Sequence, residues 1–480
     1  MHSKKIDKFQ GQIEMVFQEA ISDIDIKVRK LFKKLRIMSH LTAAGIRKLE
    51  GYPACHLLYV LVNLVFLHIK GIGDFSQRNL MTLSEAQKDA FYRFKNRDYS
   101  WRSFHWRLVC YMAVLLKWNK QKKNQSYFVL DATCLPKRGQ KIEEVSYVYD
   151  PGRGKSVPGF ELLTLLLVNA QSYYPLDFGY HFSKDKGKHY RPARPDHPTS
   201  GLARRLKEAK ISKLDLSLQM LKRALAKGIK AGYILFYRWF TSPKFLKALR
   251  GLCLHAIGRL KQDATLYCYK GRCFTLKELY KRIKSDLVLD KELGYQLARA
   301  EVVCSNGLAG VIIFSKGYQE PELEKLPGAK LTPQPKWAAF FSTDASLAAG
   351  EVVKKFMSRW SIEVFFKEAK TRLGLGKDQS RAFAAQVCSI TLTFLRYNLL
   401  AFLQSHNDSH LTIGGIFREL ESEMGILTHH QKIISFFRQF VLKTLEIINQ
   451  FRDAIDNFQD YIDIIINYFN SIHLCQGCET

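Results

Sequence analysis

The sequence predicts an α/β fold: a mixed-sheet core interrupted by a β-rich insertion, with helical regions at both ends. Three observations predict it. Short apolar runs of strand length begin at Tyr127 and recur as far as Phe341, bounded by Gly, Pro and Asp. Apolar residues at three- and four-residue steps dominate before 124 and after 351. Between 262 and 342 short runs alternate with turns, as in an insertion built of strands.

Length and charge set the frame. The chain has 480 residues, enough for two to four domains and a sizeable core. Its 47% hydrophobic and 25% charged residues are ordinary for a globular protein. A net charge of +30 is not, and it favours a polyanionic partner, nucleic acid or an anionic membrane. From 405 onward five basic residues face ten acidic ones, which leaves −5 on the tail and +35 on residues 1–404. The tail therefore reads as protein-facing rather than DNA-facing. No signal peptide is visible, and the most apolar early run, 56–69, is too short to span a bilayer and contains Asn63. No membrane and a cytoplasmic location are expected. The ten cysteines are scattered and read as reduced thiols. Cys475 and Cys478 form a lone CxxC, while Cys268 and Cys273 flank a hairpin turn.

Residues 1–123 read as a helical DNA-binding region. Ile6, Phe9, Ile13, Val16, Phe17 and Ala20 fall at helical spacing. Six cations between Lys27 and Arg36 either face phosphates or form a solvated face. Ser76 and Ser84 open motifs that look like helix starts. Between 91 and 107 basic residues interleave with aromatic ones. That pattern suits a nucleic-acid surface and also helices that pack their aromatics inward.

Residues 124–260 read as the first part of the core. A strand at 127–131 ends in Asp131, and a meander follows through 147–149, a turn at 150–154 and a strand at 162–168. An acid at the exposed end of a buried strand is where an active-site carboxylate sits in a mixed sheet; a cap or turn residue is the other reading. A basic loop, kept from helix by Pro192, Pro195 and Pro198, feeds a helix over 201–227. Strands follow at 233–237 and 255–260, with a helix from Pro243 between them.

Residues 261–350 form the β-rich insertion. Residues 351–405 hold the second part of the core, including a buried helix at 388–402. Residues 406–480 are helical, with Phe436, Phe437, Phe440, Val441, Leu445 and Ile448 on a face suited to dimerisation. Within the second core part, 356–370 reads as one helix with an apolar stripe of Ile362, Phe365, Phe366 and Ala369. Arg359, Glu363 and Lys370 lie near one face of it. A carboxylate on a rigid rod between cations suits a metal ligand beside a phosphate backbone; a salt-bridged surface has the same spacing.

This order of features resembles the DDE transposases of bacterial insertion sequences, whose catalytic core is RNase H-like. It is most similar to the cut-and-paste group with a Y-(2)-R-(3)-E-(6)-K signature, which reads here Phe356, Arg359, Glu363, Lys370. Leu130-Asp131-Ala-Thr133 resembles the first-acid block. Gly159 to Thr164 and Tyr174 to Phe178 resemble the strands after it, and Lys336 to Asp344 resembles the segment ahead of the signature. The resemblance covers about 125–405.

It implies a DNA transposase that binds transposon ends and catalyses strand cleavage and transfer in DNA recombination. Carboxylates would hold two Mg²⁺ ions, with Mn²⁺ as a substitute, and Asp131 and Glu363 match the first and third acids as catalytic residues and metal ligands. Arg359, Lys370 and Phe356 would contact DNA at the transposon end, and Trp337 would stack on a flipped base, unless it is a core aromatic. The implied partners are double-stranded DNA with terminal inverted repeats, target DNA and a second copy of the chain. The implied location is a bacterial cytoplasm, on the nucleoid when DNA-bound.

One position departs. The family's second acid ends a strand in a segment that here reads Phe236-Tyr237-Arg238-Trp239-Phe240. Tyr237 stands in the acid's place. A phenol with a pKa near ~10 is neutral at pH 7 and a poor Mg²⁺ ligand. Asp215 and Asp263 are the nearest aspartates in sequence, and neither ends this strand. The expectation is a transposase with impaired catalysis. The alternative is a catalytically inactive DNA-binding protein that represses or inhibits transposition. A structure-specific nuclease on the same fold would explain the charge but not the Trp337 and Glu363 blocks.

Overall fold

A computed structural model describes residues 27–48, 50–77, 84, 86–120, 125–169, 172–187, 190–318, 337–406, 410–425, 440, 441 and 444. The chain divides into two units, Ile26–Glu423, and Met1–Asp25 with Met424–Thr480. The second unit lies almost wholly outside the described residues. So do the helix expected from Ile6 to Ala20, most of the apolar face around Phe436, and Cys475 and Cys478.

The larger unit opens with six helices: α1 (Lys27–Lys34), α2 (Ile37–Ala43), α3 (Ala54–Asn63), α4 (Ile72–Gln77), α5 (Lys88–Asn96) and α6 (Trp101–Leu115). Ser76 falls inside α4 instead of starting a helix, while α5 begins just after the Ser84 motif, with Gln87 as its N-cap. Phe91, Phe94, Tyr99, Trp101, Phe104 and Trp106 are all buried. Of the two readings of this stretch, the inward-packed one is what the fold adopts. In α1, Val28, Leu31 and Phe32 face the core, and Lys27 pairs with Glu423 at 2.7 Å.

Strands β1 (Ser126–Pro136), β2 (Ser146–Asp150), β3 (Lys155–Asn169) and β4 (Ser172–His181) are antiparallel about β3, which pairs with β1 on one edge and with β2 and β4 on the other, in place of the expected meander. Helices α7 (Gly201–Glu208) and α8 (Lys213–Ala226) follow. One helix was expected here. Ser212 divides the segment because its side chain accepts the Asp215 N–H as an N-cap. β5 (Tyr233–Phe236) and β6 (His255–Arg259) then run parallel to β1, joined by α9 (Pro243–Gly251) with proline in its first turn. The order β4-β3-β1-β5-β6 is a mixed α/β sheet, the RNase H-like core.

The β-rich segment does not stand apart from that core. It comprises β7 (Leu266–Tyr269), β8 (Arg272–Thr275), helix α10 (Leu276–Ile283), β9 (Val288–Asp290), β10 (Tyr295–Cys304), β11 (Ala309–Lys316) and β12 (Trp337–Ser342). β12 pairs antiparallel with β6, so β12-β11-β10-β7-β8 continue the same twelve-stranded sheet. Cys268 and Cys273 occupy one register position of the β7–β8 hairpin and form a disulfide. This corrects the expectation of reduced thiols there, because a direct cross-strand pair brings the two Cβ atoms within bonding reach.

Helices α11 (Ala349–Met357), α12 (Ser361–Thr371) and α13 (Phe383–His406) complete the unit. The single helix expected over 356–370 is interrupted by a tighter 3₁₀ turn at Ser358–Trp360. α13 is long and apolar enough to cross a membrane by composition alone, yet it packs on β4, α5 and α6 as the core's central helix.

Candidate active site

The register places the first candidate acid. Leu130 pairs with Phe236 in the last β1–β5 position. Asp131 and Tyr237 are the next residues of two parallel strands, which lie about 4.8 Å apart. Contrary to the expectation that the strand ends at Asp131, β1 continues beside β3 to Pro136. Asp131 sits where pairing with β5 stops and the sheet opens a crevice. Gly258 on β6 keeps that corner closed: a Cβ there would meet the Phe236 ring at 2.5 Å.

α12 brings Glu363 to the same place. The Arg359 side chain is 5% exposed, and its guanidinium sits 2.5 Å from Glu363 Oε1 and 3.6 Å from Asp131 Oδ2. It also lies 5.0 Å from the Tyr237 ring centroid. Arg238 Nη2 donates to the Tyr237 hydroxyl at 2.5 Å, and Arg259 Nη1 reaches it at 3.5 Å. Asp131, Glu363 and Tyr237 therefore converge, with three guanidinium groups among them. Burial pushes the Asp131 carboxyl up to about 6 against the pull of Arg359 and the Ala132 N–H, and the Glu363 charge adds to the rise.

The other predicted residues are placed as follows. Lys370 is exposed, and its Nζ donates to Thr133 Oγ1 at 2.6 Å, two residues along β1 from Asp131. Phe356 is a core residue, 1% exposed and packed on the Phe340 ring at 4.7 Å. This corrects its assignment to the DNA surface: without a hydroxyl the ring stays among apolar neighbours, with Arg359 5.6 Å from its centroid. Trp337 begins β12, two strands from β5, and stacks on Tyr280 of α10 at 4.3 Å.

Four other acids of this sheet and its connections are engaged elsewhere. Asp215 accepts from Ser212 Oγ at 2.6 Å, and Asp263 from the Thr265 N–H at 3.1 Å. Asp344 holds the Tyr233 hydroxyl at 2.7 Å, at the opposite end of β5. Glu161 lies across from Cys134, on the other face of β1 from Asp131, and pairs with Lys213 at 2.6 Å and His181 at 3.0 Å.

One residue escaped the sequence reading. Trp239 is 68% exposed on the turn after β5, with Lys213 and Lys261 Nζ at 4.9 and 4.5 Å from its ring. A bare tryptophan between two ammonium groups suits a base-stacking contact. The signal for it was the Trp-Phe pair directly after the strand end.

The fold and this acid pair define a class. Residues 73–276 match the DDE superfamily endonucleases. Residues 204–399 match the transposase DDE domain, so the two matches overlap and together run from 73 to 399. The chain belongs to the DDE transposases. A comparison with curated proteins finds no match.

DDE transposase domains generally use divalent metal ions. The donor set here does not fit a two-ion centre. Among the described residues no three His, Cys, Asp or Glu side chains gather at one point. Two carboxylates meet, both are engaged by Arg359, and the third position offers a phenol hydroxyl already hydrogen-bonded to arginine.

Proposed function

We propose that this chain is a transposase that binds DNA at the open end of β1 and β5 but is impaired in Mg²⁺-dependent strand cleavage. The observation that carries this reading is Tyr237 beside Asp131, with Arg238, Arg259 and Arg359 around it. Three guanidinium groups and two carboxylates favour a phosphodiester over a pair of divalent cations. The ligands would be double-stranded DNA with terminal inverted repeats and target DNA, held by two copies of the chain. Lys370, Lys213 and Lys261 supply positive charge around the crevice. Trp239 supplies exposed aromatic surface for an unstacked base, and Trp337, half-buried between Tyr280 and Phe314, is the second such ring.

The same arginine cluster favours a second reading, a non-catalytic protein that occupies transposon ends and represses transposition. Cleavage separates the two readings; binding does not. The test compares the natural chain with Tyr237→Asp on duplexes carrying the terminal repeats of its own element, with Mg²⁺ or Mn²⁺. Both proteins are expected to bind in a gel shift. The variant should cleave faster by about 10³-fold or more, the scale of restoring one carboxylate to a two-ion centre. It should also bind Mn²⁺ by electron paramagnetic resonance where the natural chain does not. Robust cleavage by the natural chain overturns the impairment. Persistent inactivity of a DNA-binding, Mn²⁺-binding variant favours the repressor.

A further inference from the structure

A second site lies away from the strand ends. α6, α7 and α8 flank a half-open cavity of about 670 Å³ whose lining carries seven Arg and Lys side chains and a single acid, Asp98. Asp98 Oδ1 already accepts the Leu202 N–H at 2.9 Å, at the start of α7.

The cavity wall is rich in donors without acceptors. The indole N–H groups of Trp101 and Trp106 are buried, in residues 2% and 4% exposed, and neither has a hydrogen-bond partner. Arg223 Nη2 and Arg102 Nε are likewise buried and without a hydrogen bond, although Arg102 Nε forms an ion pair with Asp177 at 3.7 Å. Four such donors lie on residues that line one cavity, and each buried N–H left alone costs the free energy of its lost hydration, which an acceptor-rich ligand could restore after a small side-chain shift. The facing acceptor without a partner is Asp98 Oδ2.

Charge points the same way. Behind the cavity Arg102 grips Glu208 with two hydrogen bonds, at 2.8 and 2.5 Å. Arg223 reaches Asp177 at 2.7 Å and Glu208 at 3.0 Å. Arg205, 4% exposed, joins them with no carboxylate of its own. It donates to the Phe178 carbonyl at 2.7 Å and stacks on the Phe178 ring at 3.7 Å. Three cations, Arg205 buried and Arg102 and Arg223 half-buried, thus face two anions, and burial, with Arg102 nearby, holds Arg205 down to about 9. At the mouth Arg97, Arg107 and Arg204 are exposed.

We propose that this cavity is a phosphate-binding site, which takes the phosphate of a nucleotide or of a nucleic-acid strand. Phosphate oxygens supply the missing acceptors, and the negative charge balances the unpaired cation. The proposal does not depend on the state of the Asp131–Glu363 crevice.

Titration calorimetry of the full chain tests it, with pyrophosphate, adenosine monophosphate and a short single-stranded oligonucleotide as probes. Trp106→Phe removes one donor and keeps a ring in place; Arg204→Glu reverses one charge at the mouth without touching the core. Millimolar or tighter binding of pyrophosphate is expected, weakened about tenfold in each variant. Glu363→Gln, in the crevice, should leave it unchanged. The tightest probe identifies whether a mononucleotide or a strand carries the phosphate. No binding of any probe, or binding that both variants leave intact, overturns the site. Stronger binding in Glu363→Gln, with both cavity variants unaffected, would place the phosphate in the crevice, where that carboxylate opposes it, and overturn the site as well.

Discussion

Arg359 holds the candidate site together, and Arg359→Met measures by how much. The guanidinium is 5% exposed and bridges Glu363 and Asp131, each about a quarter exposed. Removing one partner of a fully buried pair costs about 3–5 kcal/mol; partial exposure of both acids lowers the expected loss here to about 2–4 kcal/mol near pH 8. The pH dependence gives the sharper test. Asp131 already has a folded pKa of about 6, above its ordinary 3.8, so its contribution to stability falls as pH rises between those values. Arg359 opposes that rise. Without it the folded pKa climbs further, and the loss deepens above about pH 6, by roughly 1.4 kcal/mol for each added unit. Urea unfolding of the natural chain and of the variant, near pH 5 and near pH 8, reads this directly. The gap between the two proteins should widen by about 1–2 kcal/mol at the higher pH. An equal gap at both would mean that Arg359 stabilises by packing on Tyr237 and Phe356, not by restraining Asp131.

Three further outcomes follow from the same geometry. Gly258→Ala drives a methyl into the Phe236 ring and into Thr241 Cγ2 at 2.8 Å, and should cost about 1–3 kcal/mol in urea unfolding. Trp239→Ala should leave stability within about 0.5 kcal/mol yet weaken DNA binding by about 1–3 kcal/mol in a titration; Trp239→Phe should recover most of that. Asp177→Asn leaves Arg102, Arg205 and Arg223 with Glu208 as their one nearby carboxylate and should cost about 2–4 kcal/mol at neutral pH. Burial works against the Asp177 carboxylate, but Arg223, Arg102 and Arg205 hold it below the usual range. Its stabilisation is therefore present above the ordinary carboxylate pKa and disappears as pH falls through the depressed one, so the penalty should shrink in acid unfolding.

Much of the site was readable because it depends on where apolar runs stop. The run 127–130 stops at Asp131 and the run 233–236 stops at Tyr237, which is why both reach the same crevice. The i, i+4 spacing of Arg359 and Glu363 survives the 3₁₀ turn at Ser358–Trp360, because the turn keeps right-handed dihedrals. Other features were written locally and missed. Thr275-Leu-Lys-Glu278 is a capping box that starts α10, and Ser212 caps α8 in mid-segment. The rest had no local signal at all. Nothing near Trp337 or Phe341 tells that β12 will pair with β6, more than seventy residues earlier. The continuation of β1 past Asp131 is set by β3, and the disulfide of Cys268 and Cys273 by hairpin register.

That β6–β12 pairing bears on the order in which the chain can fold during synthesis. β6 is complete at Arg259, but the strand that covers its outer edge begins at Trp337, and the helix carrying Glu363 follows only at Ser361. Between those points the nascent molecule has a parallel core with an open edge, the kind of surface that recruits strands from other chains. β7 to β12 must close back on the sheet before that edge is covered, and the acid pair forms only after them. Premature termination or an early frameshift within that stretch would therefore leave an adhesive fragment, not a smaller working protein.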